Sequence, residues 1–308
     1  MTKNNYRLVT RSDFDGLVCA VLLKELNLID EINFVHPKDV QDGKEDITEN
    51  DILTNLPYVK EAHLVFDHHL SETIRNEGQN ENHIIDPEAP SAARVVYDHY
   101  GGEEKFPNVS TEMMEAVDKA DSAQFTKEDV ANPTGWELLS FLMDARTGLG
   151  RFRNFRISNY NLMMDLIDYC RDHTIEEILE LPDVKERVEL YFDYEERFKE
   201  QLKRCGTLYD NVVVIDLREE EKIFPGNRFM KYLLYPEANI SIHVIWGYRK
   251  QNTVFAVGKS IFDKSSDKNV GEIMLEYGGG GHQAAGTCQI DNDKAEKILV
   301  ELVERFKD

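Results

Sequence analysis

The sequence predicts an α/β protein: an N-terminal parallel sheet with covering helices, a helical connector, and a smaller C-terminal α+β domain. Three observations predict it. The first half alternates short apolar runs with helical stretches, as strands joined by crossover helices do. From Ser91 onward the apolar spacing is helical. Beyond Gly206 strand-like runs return. At 308 residues the chain is long for one core and comfortable for two, so a boundary is expected near Gly206.

Taken in order, residues 6–10 read as the first strand and 16–28 as a helix with a dense apolar face. Strands follow at 31–36, 51–56, 63–66 and 83–85. Helices are expected at 91–100, 111–120, 135–145 and 158–171, then a long charged one at 183–205. The last third reads as strands at 211–217, 240–248 and 253–259, a helix at 270–277, a Gly-rich loop, a strand at 287–290 and a final helix.

Charge narrows the ligands. A formal net charge of -22 repels long polyanions unless a cleft is locally basic, which disfavours duplex DNA and leaves room for a short phosphate-bearing ligand. The acids are uneven. Residues 145–164 hold none, but carry Arg146, Arg151, Arg153 and Arg156, and read as an anion-facing segment. Residues 239–262 also hold none and carry Arg249, Lys250 and Lys259; buried strands explain that window equally well. No apolar run is long enough to span a membrane and the first residues lack a signal-peptide core. Cys19, Cys170, Cys205 and Cys288 form no CxxC, so a cytoplasmic protein is expected, with neither a disulfide framework nor a thiolate zinc site.

The chemistry gathers at the strand ends. The first predicted strand runs into Asp13 and Asp15, the second into His36, the third into Asn55, the fourth into Asp67-His68-His69 and the fifth into Asp86. Ligands bind beyond the carboxyl ends of open parallel sheets. One acid after a strand is ordinary turn chemistry; five polar ligands in register are not. Carboxylates mixed with imidazoles and no thiolates suit Mn²⁺, with Mg²⁺ or another divalent ion tolerated. Two such ions can polarise a phosphoryl group and activate water. No phosphate-binding GxxxxGK[ST] loop competes.

Asp67-His68-His69 after an apolar strand, the upstream Ser12-Asp13-Phe14-Asp15-Gly16 and the late run from Gly278 to Gly286 together resemble the DHH phosphoesterase superfamily. The branch resembled carries the DHH-associated C-terminal domain, and includes RecJ-like nucleases, nanoRNases and exopolyphosphatase-related proteins. The resemblance covers nearly the whole chain. It implies a catalytic domain at 1–135, a helical connector at 136–205 and a substrate-binding domain at 206–308. It implies metal ligation by Asp13, Asp15, Asn55, His68 and Asp121. Asp67 is expected to orient His68, and His69 to face the phosphate. Asp86 is expected to be structural or to support a ligand from behind.

Two positions depart from that pattern. Arg11 stands where relatives commonly have His or Asp, and Asn55 where they have a bridging aspartate. Both weaken the site of the first ion, since one adds a cation and the other removes an anion. Three readings stay open: one ion with Arg11 as a phosphate clamp, recruitment of His36 or Asp39 as a replacement ligand, or a degenerate site that binds without cutting. One or two ions are therefore expected.

The C-terminal half is expected to recognise substrate. Gly278, Gly279, Gly280 and Gly281 allow close backbone approach to phosphate oxygens, with His282 as a further donor. Lys259 and Ser260 lie at a strand end, as in relatives that hold the far nucleotide there. Arg228 could bind an anion or belong to a helix start, and Arg151 stands for the first acid-poor window. Phe152, Phe155, Trp246 and Tyr248 offer stacking surfaces or core. The expected activity is hydrolysis of a linear dinucleotide such as pGpG, or of nanoRNA, to 5′-mononucleotides. Exopolyphosphate hydrolysis is the alternative within the class, and a non-catalytic nucleotide-binding regulator the alternative outside it. A homodimer is compatible with this reading, and no membrane partner is expected.

Overall fold

Apolar runs separated by helices wind into a parallel sheet in the computed structural model, which describes residues 5–75 and 80–307. β1 (Tyr6–Arg11) leads into α1 (Phe14–Glu25), β2 (Ile29–Val35) and α2 (Pro37–Gln41). β3 (Asp51–Thr54), β4 (Leu64–Asp67), α3 (Leu70–Arg75) and β5 (His83–Ile85) follow. The strands pair in parallel in the order β2-β1-β3-β4-β5. The winding direction reverses between β1 and β3, and such a switch point opens a crevice at their carboxyl ends. Buried Thr10 and Thr54 tie those ends together: Thr10 Oγ1 donates to the Thr54 carbonyl at 3.1 Å, and Thr54 Oγ1 donates to Thr10 Oγ1 at 2.8 Å. At the other end of the same strands, Arg7 donates to both oxygens of buried Asp51, at 2.7 and 3.0 Å.

Every residue of α1 from Phe14 to Leu23 is buried. A helix apolar all round needs cover on every side, and here β1, α4 (Ala92–Tyr100), α5 (Thr111–Asp121) and α8 (Asn159–Asp172) supply it. Ser91, Ser110 and Ser158 each accept a backbone N–H and so start α4, α5 and α8. Between α5 and α8 lie α6 (Lys127–Ala131) and α7 (Gly135–Met143); α9 (Ile175–Glu180) and the long α10 (Pro182–Cys205) come after. The chain divides into two compact units. One is Met1–Gln124 with Pro133–Glu189, and the other is Phe125–Asn132 with Leu190–Asp308.

The second unit is built on a six-stranded sheet. In chain order it contains β6 (Gly206–Tyr209), β7 (Val212–Asp216), α11 (Met230–Leu234), β8 (Ile240–Trp246) and β9 (Thr253–Lys259). These are followed by α12 (Val270–Glu276), β10 (Gly280–His282), β11 (Ala285–Ile290) and α13 (Ala295–Phe306). The strand order is β10-β11-β9-β8-β7-β6, with only β7 and β8 parallel. Val214, Ile242, Val244 and Phe255 on the sheet pack with Met274 of α12 and Phe306 of α13.

Two strands escape the sequence pattern. β6 follows α10 without a break, and β10 occupies the predicted Gly-rich loop. Glycine disfavours strands, yet here the run is shaped by its neighbours. Gly278 has φ +74 and ends α12 with the paired bonds Gly278 N to Leu275 O and Gly279 N to Met274 O. A Cβ on Gly279 would meet Thr287 O at 2.0 Å, and one on Gly281 would meet Ala285 O at 2.2 Å. The hairpin packs too closely for side chains there. No helix among the described residues is long and apolar enough to cross a membrane.

Candidate active site

At the carboxyl ends of β1, β3 and β4 three kinds of anchoring hold the polar residues. Asp13 caps α1, its Oδ1 accepting from Gly16 N at 3.0 Å, and Arg11 Nε lies 3.0 Å from Asp13 Oδ2. Asn55, in the left-handed region at φ +55, donates from Nδ2 to Asp13 Oδ1 at 3.5 Å. Asp15, only 2% exposed, is gripped by the first turn of α4: Ala92 N and Ala93 N donate to its two oxygens at 3.1 and 2.8 Å. A helix N-terminus favours the carboxylate there.

His68 is fixed by backbone. Its Nδ1 lies 3.1 Å from the Ala89 carbonyl oxygen and donates to it, which leaves Nε2 as the ring atom that faces the acids. The turn that presents Ala89 is closed by Asp86, whose carbonyl accepts from Ala89 N and whose side chain accepts from Glu88 N. Asp86 thus shapes the turn that aims His68. His68 Nε2 approaches Asp121 Oδ2 to 2.9 Å. The approach is off the axis that a hydrogen bond requires, and Nε2 remains a buried nitrogen without such a partner.

Asp15, His68 and Asp121 each place a ligand atom within 4.8 Å of the others, a group able to hold a metal ion. Burial opposes the His68 charge, but the Asp121 carboxylate and the Asp15 charge override it and push its pKa up to about 9. Asp15 is driven well above the ordinary carboxylate range by burial and by the neighbouring Asp121 and Asp13. Burial also raises Asp13, with Arg11 opposing, whereas the His68 contact holds Asp121 low despite its burial. Three acids crowded together, an unpartnered imidazole nitrogen and an unpartnered Asn55 Oδ1 are the donor set a divalent cation requires. The residues fit the ion.

Asp67 takes a different part from the one its position suggests. Its Oδ1 accepts from His68 N at 2.9 Å and from His69 N at 3.3 Å, and lies 2.7 Å from His69 Nδ1. Asp67 therefore orients the His69 ring, while the Ala89 carbonyl orients the His68 ring. Nor does the second strand end contribute to the cluster. His36 Nδ1 accepts from Lys38 N and caps α2, Asp39 pairs with Lys44 at 2.9 Å, and neither belongs to the Asp15–His68–Asp121 group.

Among solved structures the chain is similar to the pGpG-specific phosphodiesterase PggH from Vibrio cholerae. The two are 65% identical over 98% of this chain and 99% of that one, with a TM-score of 0.87. The chain belongs to the DHH phosphoesterase superfamily. The DHH fold also relates it to RecJ in complex with Mn²⁺ from Thermus thermophilus. That match is 16% identical over 98% of this chain and 52% of that one, with a TM-score of 0.52, and shows the fold alone. An A-adding tRNA nucleotidyltransferase of Aquifex aeolicus is 28% identical over 114 residues. The match covers 35% of this chain and 14% of that curated relative. No family model matches the chain.

Asp15 and Asp121, which flank the DHH triplet, owe their geometry to residues without a motif. Ser91 Oγ donates to Asp118 Oδ1 at 2.7 Å, and Arg94 donates to Asp118 Oδ2 at 2.6 and 2.9 Å. These bonds lock the start of α4, which holds Asp15, to α5, which ends in Asp121. Asp118 lies one helical turn before Asp121, and that spacing was the available signal.

In the second unit, β10, β11 and β9 put His282 opposite Ala285 and Ala285 opposite Gly258, so His282 and Lys259 sit at one end of three neighbouring strands. Lys259 Nζ donates to Ser266 O at 3.0 Å, and Ser260 Oγ accepts from Phe262 N and Asp263 N. Arg228 stacks 3.9 Å over Phe229 and precedes α11, whose Tyr232 hydroxyl donates to Gly258 O. Of the four glycines only Gly280 is open enough to accept a side chain with ordinary backbone geometry; Gly279 and Gly281 are committed to packing. Arg151, in the first unit, wraps Gly148 and donates to its carbonyl at 3.2 Å. Phe155 lies 4.0 Å under the Arg187 guanidinium, Trp246 donates to Arg218 O, and Tyr248 is 74% exposed.

Proposed function

We propose that this DHH phosphoesterase hydrolyses short 5′-phosphorylated nucleotides, foremost the linear dinucleotide pGpG, to 5′-mononucleotides with Mn²⁺ as its preferred ion. The observation that carries the chemistry is the Asp15–His68–Asp121 group with its orphaned His68 Nε2. The substrate follows from the likeness to a pGpG-specific enzyme across nearly both chains. In this reading residues 1–135 supply catalysis, 136–205 the connector and 206–308 substrate binding through Lys259, Arg228, His282 and the glycine run.

Asp15, His68 and Asp121 would hold one ion. Asp13 and Asn55 adjoin it, and Arg11 supplies a fixed positive charge beside Asp13. The bound ion supplies Lewis-acid stabilisation of phosphoryl oxygens and acidifies water. Water oxygen bonds to phosphorus as the P–O3′ bond breaks, and the departing O3′ takes a proton, giving two 5′-mononucleotides from pGpG. His69, held at Nδ1 by Asp67, presents a ring of fixed orientation, and Arg11 offsets the charge that develops on the phosphoryl group.

Purified protein with Mn²⁺ and pGpG, run beside His68→Ala, tests this. The expected loss of kcat is on the order of 10³-fold. Equal turnover in both proteins would remove His68 from the site. Binding of pGpG without turnover in the wild type would favour a nucleotide-binding regulator, and faster release of phosphate from polyphosphate than from pGpG would favour exopolyphosphatase activity.

A further inference from the structure

A partly open recess, bordered by Ser12 next to Asp13, lies within the first unit. It has a volume of about 160 Å³ and runs between α7, the turns at 145–151 and α8. Its walls are the aliphatic and thioether side chains of Leu139, Leu142, Leu162, Met163 and Leu166. The comparison that gives the volume meaning is an apolar cavity of about 150 Å³, which accepts a benzene ring. Ser12, between Arg11 and Asp13, borders the recess, which thus reaches the catalytic loop. None of the aromatic residues near the acid-poor windows lines it.

The polar rim is preorganised. Asn159 Oδ1 accepts from Arg187 Nε at 3.0 Å and from Nη2 at 2.9 Å. Arg187 is itself 2% exposed, with further bonds to Asp183 O, Glu186 and Ile157 O. That clamp fixes the Asn159 amide with its Nδ2 on the side of Gly150, which lines the same recess. Asp144 borders the same recess, its Oδ1 accepting from Arg146 N at 2.9 Å and from Arg146 Nε at 2.7 Å. An amide donor and a carboxylate acceptor are the pair that read the edge of a nucleobase.

A second recess adjoins the first. It is lined by Arg146, Gly148 and Arg151, and shares Ala145 and Gly150 with the apolar one. Among the described residues Arg151 has no carboxylate partner, only the Gly148 carbonyl. An apolar recess with polar groups on its rim, next to the Arg151 guanidinium, has the chemical layout of a nucleotide: base inside, phosphate outside. We propose that this double recess takes one nucleotide of the substrate, a purine base between α7 and α8 and its phosphate on Arg151, with Arg146 held beside it by Asp144. The proposal rests on the phosphoesterase reading and deepens it by placing one base.

Two measurements test it. Met163→Trp fills the slot without touching the metal group. It is expected to raise KM for pGpG about tenfold or more while bis(p-nitrophenyl) phosphate, a diester without a base, turns over as in the wild type. An unchanged KM for pGpG in the folded variant would overturn the proposal. The second measurement needs no variant of altered packing. With ¹³C-methyl methionine in the full chain, the Met143 and Met163 signals are expected to shift on adding 5′-GMP and not on adding ribose 5-phosphate. Silence of both signals overturns the base pocket even if pGpG is hydrolysed. A wild type that hydrolyses neither ester overturns the phosphoesterase reading, while the methyl signals still decide the pocket.

Discussion

A methyl group on Gly16 would meet the Arg11 carbonyl oxygen at 2.1 Å and Thr10 Oγ1 at 2.7 Å. The first turn of α1 can press against the end of β1 only because that position lacks a side chain. Gly16→Ala is expected to cost roughly 1–3 kcal/mol of stability, read from denaturant midpoints, and to depress activity further by displacing Asp13 and Asp15. Asp15, His68 and Asp121 were legible in the sequence because a metal ligand is a side chain, and side chains carry letters. The groups that aim them were not. Ala89 O and the N–H groups of Ala92 and Ala93 belong to backbone that every residue has, so only the folded turn reveals them. The role of Asp67 is hidden for a related cause: adjacent histidines are equally near in sequence, and only geometry shows that the carboxylate reaches the ring of His69.

Among the elements, β8 carries a titrating group inside the second sheet. His243 Nε2 lies 3.2 Å from Lys231 Nζ on α11, so the ring accepts there and stays neutral. Burial and the lysine charge hold its pKa well below the ordinary 6.5. The unfolded chain takes up a proton near pH 6.5 that the folded chain refuses, so stability falls as pH drops below that value, by up to about 1.4 kcal/mol per pH unit. Urea midpoints at pH 7 and pH 5 should show this fall, and His243→Gln should flatten it. At this scale the alternating pattern gave β9 to the residue and most helices to within a turn, because caps such as Ser110 and Ser158 announce themselves. β10 stayed hidden because its residues have no strand propensity of their own; pairing with β11 makes them a strand.

For the whole molecule, a net charge of -22 is a standing cost of self-repulsion. Raising NaCl from about 0.05 to about 0.5 M should raise the melting temperature, since the screening length shortens several-fold. A duplex oligonucleotide should not be retained at about 0.15 M salt, where pGpG should still bind. A retarded duplex band in a gel at that salt would count against the acidic surface repelling duplexes. The acidic balance was plain in the sequence. The threading of the two units was not, because compactness is a property of contacts and no composition shift marks it.

That threading bears on how the chain is made. Phe125–Asn132 belongs to the same unit as Leu190–Asp308, and Phe125 meets Phe229 there with ring centroids 5.8 Å apart. A ribosome working from the N-terminus releases α6 about 100 residues before Phe229 exists. At ordinary synthesis rates that interval is on the order of 5–20 s. During it, Phe125 and Val130 have no finished surface to join, so the nascent chain carries a short unsatisfied apolar segment between two parts of the unit that is completed first.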